Sequence, residues 1–349
     1  MDATNPQRTD GTRRSGALRS LALALLVLGS LATAAASAAP TVSRDSFTTD
    51  GEANLLAEAD ALQYGHRFAD ALELLATLLE RDPAHVQARL MQARIHLAQG
   101  SLMAAQQSCQ ELLGQTDMTI TATCLLEVAG RLKPERLPDT YQQLQRLYLQ
   151  QPATVAVRHW QQQILAEQAF ELGQYQAAID WFGTRNFAAQ PVVNQKLIID
   201  AWLLLQEPRQ VLSHYSACPR VGQLPEDSVI VRLAHAERLA AAEAADVADS
   251  AAGSAAGSAA GSAAGSAAAD QEQQVRRCWR QLASERMQVR IARDDALHTS
   301  DIAYYFLYVD VNATQALHYA ELNFAVAEEP ADQRLLDAAR TLTGTRAQN

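Results

Sequence analysis

The sequence predicts an all-α fold in which antiparallel helix pairs stack side by side as an α-solenoid. Three observations support this prediction. Residues that favour helices (Ala, Leu, Gln, Glu and Arg) dominate the chain. The 349 residues include only 16 Gly and 11 Pro, few for a β protein rich in tight turns. Small and apolar residues also recur at an offset of 34 residues, which is typical of a helical-hairpin repeat.

The N-terminal residues are interpreted as an export signal. Four Arg precede the apolar run 21–31, and Ala36-Ser37-Ala38 fits the small-x-small rule for signal cleavage. The alternative, a membrane anchor, is disfavoured because the run is shorter than the roughly 20 residues that span a bilayer. We therefore expect a cleaved signal peptide at 1–38, a disordered segment at 39–51 and a periplasmic mature protein, with secretion as the other destination.

A helix-turn-helix unit then recurs along the chain. Moving 34 residues takes Ala59 to Ala93 and Ala71 to Ala105, and the same spacing of residue types returns at 164–182. Small residues at these places let two helices approach closely where they cross. A looser unit with an insertion is expected between the second unit and the one at 164–182.

The other helices follow from apolar periodicity and from helix-breaking residues. Pro330 is interpreted as the residue that follows the end of a helix. Four Ala-Ala-Gly-Ser units at 250–269 are interpreted as a flexible tether, because each Gly costs about 1 kcal/mol in a helix relative to Ala. A partly helical tract is the alternative for that segment. The predicted helices are 121–132, 139–150 with Asp139 as its N-cap, 192–205, 209–215, 227–245, 271–293, 301–311, 314–328 and 335–342.

The repeat pattern resembles the tetratricopeptide repeat family. That family places a small residue in the first helix, Gly and then an aromatic residue at the turn, Ala early in the second helix, and Pro at the end. The resemblance implies a solenoid at 52–245, a low-complexity linker at 246–270, and further repeats with a capping helix at 271–349. The region from Leu282 onward is also similar to uncharacterised exported bacterial repeat proteins. The residues that carry the family pattern are Ala59, Gly65, Phe68, Ala71, Pro83, Ala93, Gly100, Leu102, Ala105, Ala166, Gly173, Tyr175 and Ala178.

The resemblance also implies a binding surface. In this family the first helix of each pair lines a concave groove with its second, fifth, ninth, twelfth and thirteenth positions. Aromatic side chains mixed with amides and acids suit a protein or peptide partner. The alternative for Leu97, Trp160 and Phe170 is packing against the next repeat. The groove candidates are Leu56, Asp60, Gln63, Tyr64, Gln87, Leu90, Arg94, Leu97, Trp160, Gln163, Glu167, Phe170 and Glu171.

The four Cys can pair in three ways. Cys109 and Cys124 fall on consecutive helices of the expected solenoid, and their bond would stabilise the fold by roughly 3 kcal/mol. Cys218 and Cys278 flank the low-complexity segment and form the second candidate pair. Free, buried thiols are the alternative.

The net charge and the motif content of the sequence disfavour several classes of function. A formal net charge of −10 disfavours a nucleic-acid-binding protein, which needs a basic surface to displace counterions. The sequence has no GxSxG, GxGxxG, HExxH or CxxC motif, and its eight His are scattered. We therefore expect a binding scaffold with no cofactor, no metal and no membrane span after signal cleavage. Two alternatives remain: an assembly factor of an envelope or secretion complex, and a hydrolase or transferase with a site built across repeats.

Overall fold

The computed structural model describes residues 49–185, 187–215, 224–254, 278–293 and 299–347. Within these ranges the regular structure is helical, with no strand. None of the described helices is both long enough and apolar enough to cross a bilayer. The α-helices are α1 (Thr49–Tyr64), α2 (Phe68–Arg81), α3 (Val86–Ala98), α4 (Leu102–Gln110), α5 (Met118–Leu132), α6 (Leu137–Gln150), α7 (Val155–Glu171), α8 (Tyr175–Phe182), α9 (Val192–Leu204), α10 (Pro208–Ser213), α11 (Asp227–Ser254), α12 (Cys278–Ala292), α13 (Thr299–Tyr308), α14 (Ala313–Phe324) and α15 (Pro330–Ala347).

The helices pack in the order of the chain. Each odd-numbered helix up to α13 packs against the even-numbered helix that follows it, and also against the next odd-numbered helix. This is the arrangement of a solenoid, in which each pair completes its core against its neighbours. The predicted all-α solenoid of stacked helix pairs is confirmed.

The sequence pattern of each helix explains its place in the stack. In α2 the buried residues Phe68, Ala71, Leu75 and Leu78 fall on one stripe, which faces the neighbouring helices. In α7, by contrast, the run 164–170 is buried at every position except Glu167. An odd-numbered helix contacts neighbours on several sides and therefore needs a wider buried surface than α2.

Left-handed residues end four of the odd-numbered helices. Gly100 and Gly173 have φ of 68° and 72°, and His66 and Gln206 have φ of 56° and 61°. His66 and Gly100 are 34 residues apart, so the repeat spacing is visible in the backbone itself. The sequence pattern assigned the first of these turns to Gly65, but the left-handed conformation falls on His66.

The two flanks of the low-complexity segment belong to one helix pair. Helix α11 packs against α12, and Asp227 accepts hydrogen bonds from Nε of Arg286 at 2.7 Å and Nε of Arg290 at 2.6 Å. A single apolar core runs from Tyr141 to Val309 and includes residues on both sides of the segment. Helix α11 continues to Ser254, so the first Ala-Ala-Gly-Ser unit is helical.

Two further details of the sequence prediction are wrong. Asp139 does not cap α6, because the helix begins at Leu137 and the N-cap residue is Arg136. Pro330 does not follow the end of a helix; α14 ends at Phe324, and Pro330 is the first residue of α15. Proline is well tolerated in the first turn, where its missing N–H has no helical partner. The predicted signal peptide at 1–38 lies outside the described residues.

Candidate peptide-binding surface

The structure places a row of charged residues at one position of successive odd-numbered helices. Asp60, Arg94, Glu167 and Asp200 each lie six residues before a left-handed residue that ends the helix. The first three were predicted groove residues at the ninth family position. We call the side of the stack that carries this row the inner face.

The thirteen predicted groove residues differ in solvent accessibility. Asp60, Tyr64, Gln87, Arg94 and Glu171 are exposed. Gln63, Leu90, Trp160, Gln163 and Glu167 are half-buried, whereas Leu56, Leu97 and Phe170 are buried.

The chain's own segment between α14 and α15 contacts this surface. The backbone N–H of Glu328 donates to the carbonyl oxygen of Ala98 at 2.7 Å. Nη2 of Arg131 donates to the carbonyl oxygen of Glu328 at 2.9 Å. Ala327 is only 4% exposed and packs in the apolar cluster of the first repeats, together with residues such as Leu56. Residues far apart in sequence thus meet through main-chain contacts.

Gly100 is required at this contact for two reasons. Its φ of 68° is strained for a residue with a Cβ. A Cβ at this position would also collide with the carboxylate of Glu328. Gly173, the equivalent residue after α7, has open space around its Cβ position.

Arg334, in the first part of α15, contacts two predicted groove residues. Its guanidinium carbon lies 4.7 Å from the centre of the Phe170 ring, and the group also pairs with the carboxylate of Glu171. The cation–π contact and the ion pair together hold the guanidinium of Arg334 in this position. Phe170 is therefore a buried residue beneath Arg334 and not an open anchor in this conformation.

Two acidic side chains face each other on neighbouring helices of the inner face. Glu127 of α5 accepts a hydrogen bond from the side chain of Trp160, and Glu167 of α7 accepts one from Nε2 of Gln163 at 3.0 Å. Burial and then the negative charge of Glu127 raise the pKa of Glu167 to about 7. Burial also raises the pKa of Glu127, although Arg94 opposes the shift. Glu127 was missed because its helix has no turn glycine from which to count positions.

A second polar cluster joins α9, α11 and α13. Arg232 donates to both carboxylate oxygens of Asp200, from Nε at 2.8 Å and from Nη2 at 2.9 Å. Its guanidinium carbon lies 4.5 Å from the ring centre of Tyr304, whose hydroxyl is 3.0 Å from Nδ1 of His235. Burial lowers the pKa of His235 to about 4. Arg232, His235 and Tyr304 are all buried, so this cluster serves to join three helices.

The predicted disulfide Cys109–Cys124 is confirmed. It joins α4 to α5 with a Cα–Cα distance of 5.5 Å. Cys278 is also disulfide-bonded. Cys218 lies outside the described residues, so the pairing of Cys218 with Cys278 stays a prediction. Among the described residues, no three His, Cys, Asp or Glu side chains converge as a metal site would require.

Comparison with known proteins identifies the repeat. Residues 56–117 match the sequence model of the tetratricopeptide repeat family, and they cover α2, α3, α4 and most of α1. A search of curated proteins finds no match. The matched residues and the stacking of successive helix pairs agree. Residues 56–117 therefore contain tetratricopeptide repeats, and the described residues fold as an all-α solenoid.

Proposed function

We propose that this protein is an exported scaffold that holds a segment of a protein or peptide partner against its inner face. Tetratricopeptide repeats are in general protein-interaction modules, typically without catalytic activity. The N-terminal sequence supports export, since a basic stretch, an apolar run and a small-residue cleavage motif follow in order. A periplasmic location and a role in assembling an envelope complex belong to the same proposal.

The single observation that carries the proposal is the way Glu328 is bound. Its main-chain N–H and C=O are held by Ala98 and by Arg131, which belong to α3 and α5. Main-chain hydrogen bonds of this kind do not depend on the identity of the bound side chain, so an extended segment of another protein can form them as well. Exposed Gln87 and Arg94 lie on α3, and exposed Asp60 lies on the neighbouring helix α1; these side chains offer further polar contacts.

Site-specific photo-crosslinking tests this proposal. A photoreactive amino acid replaces Arg94 on the inner face, and as the matched control it replaces Arg146, which is exposed on α6. Both proteins are expressed in cells and irradiated. We expect adducts of defined mass from position 94 and none of the same mass from position 146. Adducts from position 146 alone, or identical adducts from both positions, would contradict an inner-face site.

A further inference from the structure

The proposed function assigns the inner face to a partner, but the chain's own segment 325–329, between α14 and α15, already contacts that face. Arg131 and Glu328 are 197 residues apart in sequence, and Arg334 and Glu171 are 163 apart. A connection between two stacked helices does not need such contacts, because neighbouring repeats already complete the solenoid core. The segment reaches a distant part of the stack and lies on residues that the family pattern assigns to ligand.

The contacts of this segment are few and mostly at the surface. Ala327 is buried, but Glu328, Glu329 and Arg334 are exposed. Among the described residues, the attachment includes the backbone hydrogen bond from Glu328 to Ala98, the hydrogen bond from the Arg131 side chain to the Glu328 carbonyl oxygen, the small apolar side chain of Ala327 and the stacked ion pair of Arg334. Exposed ion pairs contribute little to stability, and a single Ala buries little area. Such an attachment can open and close with the loss of no more than the first turn of α15, up to Arg334, while α14 and the rest of α15 stay folded.

Charge also favours opening. The carboxylate of Glu329 lies close enough to Glu127 and Glu167 to raise the pKa of both. Like charges so placed repel one another whenever they are ionised. The cation Arg94 opposes this repulsion at both acids, and Arg131 opposes it at Glu127.

We infer that residues 327–334 form an autoinhibitory strap, an intramolecular occupant of the inner face that a partner segment has to displace. The inference rests on the proposed function, since it assigns the regulation of the same surface. The strap also indicates the chemistry that the surface accepts. A competing segment would present a small apolar residue, then two acidic residues, and then, after about one helical turn, a basic residue to stack on Phe170 and pair with Glu171.

The test uses the strap itself as a probe. A fluorescent synthetic peptide with the sequence of residues 325–334 is titrated with the mature protein, with the Arg334→Glu variant and with the Arg340→Glu variant. Arg334→Glu places two acids together at Glu171 and removes the stack on Phe170. Arg340 lies on the same helix, is exposed and pairs only at 3.8 Å with Asp337, so Arg340→Glu is the matched control.

We expect the peptide to bind Arg334→Glu at least ten-fold more tightly than either the unchanged protein or Arg340→Glu, as measured by fluorescence anisotropy. A peptide of scrambled sequence should bind none of them. Equal binding to the three proteins, or no binding to Arg334→Glu, would overturn the strap. If Arg334→Glu fails to fold by circular dichroism, Ala327→Asp replaces it, because that variant disrupts the strap and leaves the surface that the peptide contacts unchanged.

Hydrogen exchange separates this inference from the proposed function. Release should speed exchange of the Glu328 amide in Arg334→Glu by at least ten-fold, while the amides of α14 stay unchanged. Partner adducts from position 94 should increase in the same variant. Adducts of equal yield in the unchanged protein and the variant would contradict the strap alone. Absence of inner-face adducts in both would contradict the proposed function, whatever the peptide titration shows.

Discussion

Glu167 and Asp200 occupy the same position on the neighbouring helices α7 and α9, but their carboxylates accept hydrogen bonds from different kinds of donor. Glu167 of α7 receives a hydrogen bond from a neutral amide, that of Gln163. Asp200 of α9 instead receives two hydrogen bonds from the guanidinium of Arg232. The same geometric position thus carries an uncompensated acid in one repeat and a bidentate ion pair in the next. The first arrangement leaves charge available to a ligand, and the second uses charge to join helices.

The two regions respond to pH in opposite directions. The folded pKa of Glu167, about 7, lies above the value of 4.5 for an unperturbed Glu. Its stabilising contribution is therefore complete below pH 4.5 and is lost as pH rises through 7. The folded pKa of His235, about 4, lies below its unperturbed value of 6.5. Its contribution is complete above pH 6.5 and is lost as pH falls toward 4.

The largest loss of stability is expected from replacing Asp200, the acid that pairs with Arg232. Asp200→Ala leaves the buried guanidinium of Arg232 without its carboxylate, and an unpaired buried charge costs about 3 kcal/mol in the free energy of unfolding. Urea denaturation followed by circular dichroism measures the loss. Asp60→Ala is the matched control, because Asp60 holds the same helix position and is exposed.

We expect the control to change stability by no more than about 0.5 kcal/mol. Equal losses for Asp200→Ala and Asp60→Ala would mean that the ion pair with Arg232 contributes nothing beyond the helix position. The contrast between the two regions would then be wrong.

A smaller effect on stability, which depends on pH, is expected from replacing Glu167. Glu167→Gln removes the charge whose ionisation opposes folding as pH rises, so the variant should be more stable than the unchanged protein at pH 8 by about 2 kcal/mol. At pH 4.5 the two proteins should have nearly equal stability. Thermal melting between pH 4.5 and pH 8 measures the difference.

Glu58→Gln on α1 is the control for this series, because Glu58 is exposed. Its melting temperature should follow that of the unchanged protein at every pH. A constant offset between Glu167→Gln and the unchanged protein across the whole range would show that the pKa of Glu167 is the same in the folded and unfolded protein. The acidic pair on the inner face would then have no role in pH response.

The fold could be predicted from sequence because the residues that determine it recur at short, regular spacings along the chain. Each helix pair repeats the same small and aromatic residues, so Ala59, Ala93 and Ala166 report the crossing points directly, and all three are buried. The Cys109–Cys124 bond followed from the same logic, since consecutive helices of a solenoid are neighbours. Predicted groove residues also fall on the odd-numbered helices.

The occupant of the surface could not be predicted in this way. Residues 325–328 are Ala, Val, Ala and Glu, which continue a helical pattern, and the sequence therefore predicts a helix to 328. The helix ends at Phe324 because the N–H of Glu328 is bound by Ala98, far away in the chain. Contacts at such a separation leave no periodic signal in a single sequence. The partner of Asp200 was missed for the same reason, since Arg232 lies 32 residues further along.

The smallest expected effect compares two glycines that differ only in whether the strap lies against them. Gly173→Ala meets open space, so it should lower the free energy of unfolding by about 1 kcal/mol through backbone strain at positive φ alone. Gly100→Ala adds a collision with Glu328, which the strap can relieve by leaving. The two variants should therefore have similar stability to urea, within about 1 kcal/mol, because the attachment of the strap is weak. Amide exchange at Glu328 should speed up in Gly100→Ala and stay unchanged in Gly173→Ala. If exchange at Glu328 stays slow in Gly100→Ala, the strap is bound more firmly than its few contacts imply, and a partner could not displace it.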